Sequence, residues 1–123
     1  MKEPTIAASQ MYKNASNFLE AYHKCIAPLC AKYDLLPLSV DIVMFLANNP
    51  EYPTAKDICK MRLLKPSLVS YHVDNLVRDG FVERCPSETD RRQITLRLTE
   101  KSQPLVNDGR SVQQRFAESI ALG

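Results

Sequence analysis

The stretch "FVERCPSETDRRQITLRLT", residues 81–99, holds two short runs in which apolar and polar residues alternate. Phe81-Val82-Glu83-Arg84 is the first, and Gln93-Ile94-Thr95-Leu96-Arg97-Leu98 is the second. Alternation at period two marks strands with one buried face, and the Pro86-Ser87-Glu88-Thr89-Asp90 segment between them marks a turn. The stretch therefore predicts a β-hairpin with Asp90-Arg91-Arg92 near its tip. It is a short, stiff, cationic finger.

The residues before the hairpin predict what carries it. Gly80 supplies the left-handed residue that stops a helix. That helix runs from about Pro66 to Asp79, with Val69, Val73, Leu76 and Val77 on its core side. Pro66 suits its first position, where an N–H would be unpaired anyway. Upstream, Thr54 as N-cap and Asp57 three residues on form an approximate capping box for a short helix with Ile58, Cys59 and Met61 on its apolar side. The turn Arg62-Leu63-Leu64-Lys65 joins the two helices.

Working outward, a helix from about Ser39 to Asn48, capped by Ser39, carries Val40, Val43, Met44 and Leu46. Asn48-Asn49-Pro50-Glu51-Tyr52-Pro53 after it is a loop. The N-terminal third is a long helix with Met11, Ala15, Phe18, Tyr22, Ile26, Leu29 and Tyr33 on one face, kinked or broken at Pro28. A last helix starts at about Thr99 or Ser102 and is lined by Leu105, Val112, Phe116 and Ile120. With Ser102 as its cap, Pro104 falls harmlessly in the first turn.

A short helix, a tight turn, a helix ended by Gly and a basic hairpin form the order of a winged helix-turn-helix. At 100° per residue, Ser67, Tyr71, Asp74 and Arg78 point away from the Val69 side of the second helix, with Ser70 at the flank. Lys65, Pro66, Ser67, Ser70 and Tyr71 thus place donors, acceptors and one aromatic at the helix N-terminal end, the end that meets base edges in the major groove. Free N–H groups there can meet a phosphate. A solvated polar face is the competing reading for the helix alone. The hairpin tips the balance, because Arg91 or Arg92 at its tip suits the narrow, electronegative minor groove. Asp90 is expected to hold the guanidinium of Arg91, Arg92 or Arg78 in a fixed fork.

The segment "KPSLVSYHVDNLVRDGFVERCPSETDRRQITLRLTEK", residues 65–101, resembles the recognition helix and wing of the multiple antibiotic resistance regulator (MarR) family. The positions that carry the likeness are Ser67, Val69, Ser70, Leu76, Gly80, Phe81, Val82, Arg84, Asp90, Arg92, Leu96, Leu98, Thr99 and Glu100. The resemblance implies a bacterial, homodimeric transcription regulator, usually a repressor, on a pseudo-palindromic double-stranded DNA operator. It also implies release by a small lipophilic or phenolic ligand bound between the dimer interface and the DNA-binding lobe. Some members respond to oxidation of a first-helix cysteine; Cys25 and Cys30 lie in that helix, towards its C-terminal half. Leu63 stands in the turn where many members have Gly, and Ser102 replaces another frequent Gly.

The expected architecture is mostly α with a small β-hairpin wing: a winged helix-turn-helix with N- and C-terminal dimerisation helices. One domain is expected over residues 1–123, with residues 1–36 as the N-terminal dimerisation helix. Residues 37–98 form the DNA-binding lobe, and 99–123 a C-terminal dimerisation helix that is short for the family.

Bulk properties agree with that reading. With 123 residues, 45% hydrophobic and 24% charged, the chain suits one soluble globular domain. No apolar run approaches the roughly 20 residues that span a bilayer, and the start Met1-Lys2-Glu3-Pro4 is no signal peptide, so a cytoplasmic place is expected. The formal net charge is only +2, but its distribution is uneven. Residues 1–55 carry four Lys/Arg against five Asp/Glu, and residues 56–92 carry eight against six.

Cys25, Cys30, Cys59 and Cys85 have neither metal-ligand spacing nor a histidine cluster, so buried or half-buried free thiols are expected and no metal or cofactor. No phosphate loop, His-x-x-x-His or nucleophile motif points to an enzyme, and His23 and His72 read as surface or partly buried. The rival function is a winged helix that docks another regulator without specific DNA binding.

Overall fold

The computed structural model describes residues 3–122. In chain order they form α1 (Glu3–Tyr33), α2 (Pro37–Asn48), α3 (Ala55–Arg62), α4 (Pro66–Arg78), β1 (Val82–Pro86), β2 (Ile94–Leu98), a single 3-10 turn (Glu100–Ser102) and α5 (Gln103–Leu122). The expected winged helix-turn-helix is present, with α3 and α4 as the helix pair and the hairpin as the wing.

The core is arranged around α2, which is apolar on nearly every side, as a central helix must be. Val40, Ile42, Val43, Met44, Phe45 and Leu46 are buried in it. Around α2 pack Ile26 and Leu29 of α1, Ile58 of α3, and Val69, Val73 and Leu76 of α4. Phe81, Val82 and Leu96 close the core from the hairpin base, and Leu105, Val106 and Val112 from α5. At Gly109 the α5 backbone comes so close to α2 that an added Cβ would overlap Met44, lying 2.9 Å from its Cε and closer still to its sulfur.

Three helices stop on left-handed residues: α1 before Asp34, α3 at Leu63 and α4 before Gly80. In each case the next N–H reaches back to a carbonyl of the last turn: Leu35 to Cys30, Leu64 to Cys59 and Phe81 to Leu76. At α4 the Gly80 N–H also bonds the Val77 carbonyl, and buried Phe81 packs as the hydrophobic partner of this motif. Gly80 does this without steric cost. Leu63, at φ 55° and with a side chain 90% exposed, does not. Leu63→Gly removes no packing and relieves the backbone, at some entropic cost from a freer unfolded chain. A net stabilisation of about 0.5–1 kcal/mol is expected in urea denaturation; an unchanged or lower midpoint would mean that this turn is not strained.

The capping box of α3 is complete. Asp57 N–H donates to Thr54 Oγ1 at 3.1 Å, and Thr54 N–H to Asp57 Oδ2 at 3.1 Å. Several other expectations are corrected. Ser39 does not cap α2, which starts two residues earlier with Pro37 at its first position and Leu36 as N-cap. Instead Ser39 is buried, its hydroxyl 2.8 Å from His72 Nδ1, so His72 is a core residue and not a surface one. Of the kink or break expected at Pro28, the break does not occur, and α1 runs through it. Met61 points outward, Cys25 is exposed, and Pro86 ends β1 at the position where the pattern predicts the turn to begin. Ser102 donates its hydroxyl back to the Thr99 carbonyl at 2.6 Å.

Packing also divides the long stripe of α1. Its C-terminal half is buried at Ile26 and Leu29, while Met11 and Phe18 are 70% and 54% exposed. Along the junction with α5, Phe18 and Tyr22 meet Phe116 with ring centroids 5.2 and 5.4 Å apart. Asp108 of α5 is held by Tyr33 Oη at 2.7 Å and Lys32 Nζ at 2.9 Å.

Candidate nucleic-acid interface and ligand cleft

The N-terminal end of α4 carries Lys65 as N-cap in extended conformation, then Pro66 and Ser67, with Ser70 and Tyr71 one turn on. All five are exposed, and no hydrogen bond within the described residues engages the side chains of Lys65, Ser67 or Ser70. The buried face of the same helix, Val69, His72, Val73 and Leu76, fixes which way these residues point. Burial pushes the pKa of His72 down, opposed by nearby Asp41, and the ring's contact with Ser39 anchors α4 to α2.

The hairpin is antiparallel with Val82 opposite Leu98 and Pro86 opposite Ile94. Its base is held by the core and by a bond from Leu96 N–H to the Pro53 carbonyl at 2.7 Å, which ties β2 to the loop before α3. An ion pair between Arg84 of β1 and Asp74 of α4 ties the wing to the recognition helix. The tip is organised by backbone bonds. Ser87 N–H donates to Gln93 O and Gln93 N–H to Asp90 O, both at 3.0 Å. Asp90 Oδ1 accepts the Arg92 N–H at 3.0 Å, an Asx-type turn.

The Asp90 side chain is therefore not a guanidinium fork. Among the described residues no guanidinium forms an ion pair with it, and Arg78 pairs with Asp79 at 3.2 Å. Asp90 shapes the chain, leaving Arg91 and Arg92 exposed with no acid partner among the described residues. The helix residues and the wing-tip residues are carried by α4 and the hairpin, which the Arg84–Asp74 ion pair ties together. No hydrogen bond joins the two sets directly within the described residues.

A second feature was expected only through the family resemblance. A cleft of about 550 Å³ lies between α1 and α5 on one side and α2 and α3 on the other. Its walls are mostly apolar, with Phe18, Tyr22, Phe45, Ile58, Phe116 and Ile120 among them. Two charged residues also line it, Asp41 of α2 and Arg62 of α3. Asp41 Oδ2 lies 2.7 Å from His23 Nε2 of α1, and Arg62 stacks over the Phe45 ring at 4.9 Å. The lone acid in the apolar run Ser39-Val40-Asp41-Ile42-Val43-Met44 was the available signal, since a charge in a buried helix needs a reason.

The model of the MarR family matches residues 33–93, from the end of α1 through the wing tip. The chain belongs to the MarR family. MarR-family proteins are transcription regulators, and solved structures share the fold of this chain. The MarR transcription regulator of Oenococcus oeni PSU-1 superposes with a TM-score of 0.75 at 22% identity, over 92% of this chain and 83% of that one. The transcriptional regulator BldR of Sulfolobus solfataricus gives 0.74 at 18% identity, over 97% and 82%. MepR of S. aureus, solved as a DNA complex, gives 0.63 at 20% identity, over 94% and 78%. No curated protein matches the chain. No helix among the described residues of this MarR-family chain is long and apolar enough to cross a membrane.

Proposed function

We propose that this MarR-family chain is a cytoplasmic, homodimeric repressor that binds a pseudo-palindromic double-stranded DNA operator and leaves it when a small lipophilic or phenolic ligand enters the cleft. The observation that carries the reading is the pairing of an unencumbered polar helix end with an exposed two-arginine tip on a hairpin tied to the same helix. Ser67, Ser70 and Tyr71 face the major groove, Lys65 and the α4 N-terminus meet a phosphate, and Arg91 and Arg92 reach the adjacent minor groove. MepR, solved bound to DNA, has the same fold. The part of the chain that does this is the winged-helix lobe of residues 37–98, with α1 and α5 on either side of it as dimerisation helices. The bare outer half of α1, with Met11 and Phe18 exposed, is the surface a second copy covers.

Replacing Ser70 or Tyr71 with Ala is expected to cost about 1–3 kcal/mol on the best operator and much less on unrelated duplex. Fluorescence anisotropy on both DNAs measures this. Equal losses would mean that the two residues only touch the backbone. Light scattering with and without operator tests the dimer; a monomer mass in both conditions would refute it. If the winged helix instead docks another regulator, binding to duplex would show little salt dependence, whereas phosphate contacts make it steep.

A further inference from the structure

We propose that the cleft selects a lipophilic molecule carrying a cationic nitrogen, which pairs with Asp41 while its apolar body lies against the rings of Phe18, Tyr22 and Phe116. This rests on the reading of the cleft as the ligand site and names the chemistry it prefers.

Asp41 is an acid in a helix that is otherwise core, with its side chain only 20% exposed. One carboxylate oxygen is engaged by His23 at 2.7 Å. The other, Oδ1, is out of reach of water and has no hydrogen-bond partner among the described residues. Burial pushes the carboxyl pKa up, and His23, Arg62 and His72, facing it from α1, α3 and α4, pull it back only in part. Oδ1 itself is closed even to water, so a ligand cation meets the carboxylate at the exposed part of the side chain in the cleft wall, where a charged donor adds more than a neutral one.

The aromatic lining gives the second, independent indication. Phe18, Tyr22 and Phe116 form a contiguous ring cluster on the same cleft, and Asp41 lies close enough to Tyr22 to push the phenol pKa up, after burial itself. Ring faces carry partial negative charge, so aromatic rings beside a carboxylate favour a cation over an anion. Arg62 is the opposing feature. Its guanidinium is exposed and already rests on the Phe45 ring, so an anion meeting it would stay in water and gain little. The buried acid outweighs the exposed base.

The test uses three probes on one skeleton: naphthylmethylamine (cationic), naphthalenemethanol (neutral) and naphthoate (anionic). Affinities of the full-length protein are read by calorimetry at neutral pH, with chemical shifts of cleft residues locating each probe. The amine is expected to bind at least about tenfold more tightly than the alcohol, with naphthoate weakest. Asp41→Asn, which keeps the shape and leaves an acceptor for His23, should abolish the preference for the amine while leaving the alcohol unchanged. Asp41→Glu, which keeps the charge, should retain the preference. If the alcohol or naphthoate binds the cleft as tightly as the amine, or Asp41→Asn weakens all three alike, the cationic proposal is overturned and the cleft remains a ligand site. If no probe perturbs the cleft, that broader reading fails and takes the proposal with it.

Discussion

Arg92→Ala is expected to flatten the plot of log operator affinity against log salt by about two units, one for the arginine charge removed from each subunit of a dimer. Arg92 is exposed, and no acid neutralises it among the described residues, so its whole charge is available to DNA. Asp90 beside it has a separable role, because its Oδ1 holds the Arg92 N–H at 3.0 Å and so sets the direction of the tip. Asp90→Ala removes both that acceptor and a negative charge near DNA. We expect weaker binding, since a disordered tip forfeits directed hydrogen bonds while one carboxylate is partly screened at physiological salt. Asp90→Asn keeps an acceptor for the turn and removes the charge, so it should bind at least as tightly as the native protein. Titrations at several salt concentrations separate these effects. A native slope for Arg92→Ala, together with tighter binding by Asp90→Ala, would show that the wing does not work this way.

Gly109→Val is expected to destabilise the fold by about 2–3 kcal/mol, a large fraction of the 5–15 kcal/mol typical of a domain. The new side chain has no room, because even its first carbon would overlap Met44, which is itself 1% exposed. The modest helix-propensity gain over Gly does not offset the clash. Met44→Ala opens space at the same point, so Gly109→Val should cost less in that background than in the native one. The coupling, on the order of 0.5–3 kcal/mol, is measured by urea denaturation of the four proteins. Additive losses would mean that α5 and α2 separate without strain at this crossing.

The features read correctly from sequence are those decided within a few residues. Thr54 with Asp57, Pro66 at the start of α4 and Gly80 at its end are local solutions to unpaired backbone groups, and each appears where the pattern puts it. The errors arise where a distant or an overlooked partner intervenes. Ser39 has the residue type of a cap, but its hydroxyl is taken by His72, 33 positions away. A guanidinium is the obvious partner for the Asp90 carboxylate, yet a backbone N–H two residues on lies nearer to hand. Arg84 of β1 is the wing side chain that reaches an acid on α4, Asp74. The walls of the cleft come from α1, α2, α3 and α5 and exist only once these have packed, so its place followed only from the family resemblance and its one local sign was the lone acid Asp41.

The exposed outer half of α1 has a consequence for dosage. Phe18 and Leu19, which stand on this half, are also part of the cleft wall. A helix that lacks packing along one side is marginal in water, so on the dimer reading proposed above the second copy that covers it also firms up the wall behind it. Occupancy by ligand and abundance of protein are then not independent variables. A cell holding few copies would have fewer finished clefts per chain as well as fewer chains, and its sensitivity to the signal would fall faster than its protein level.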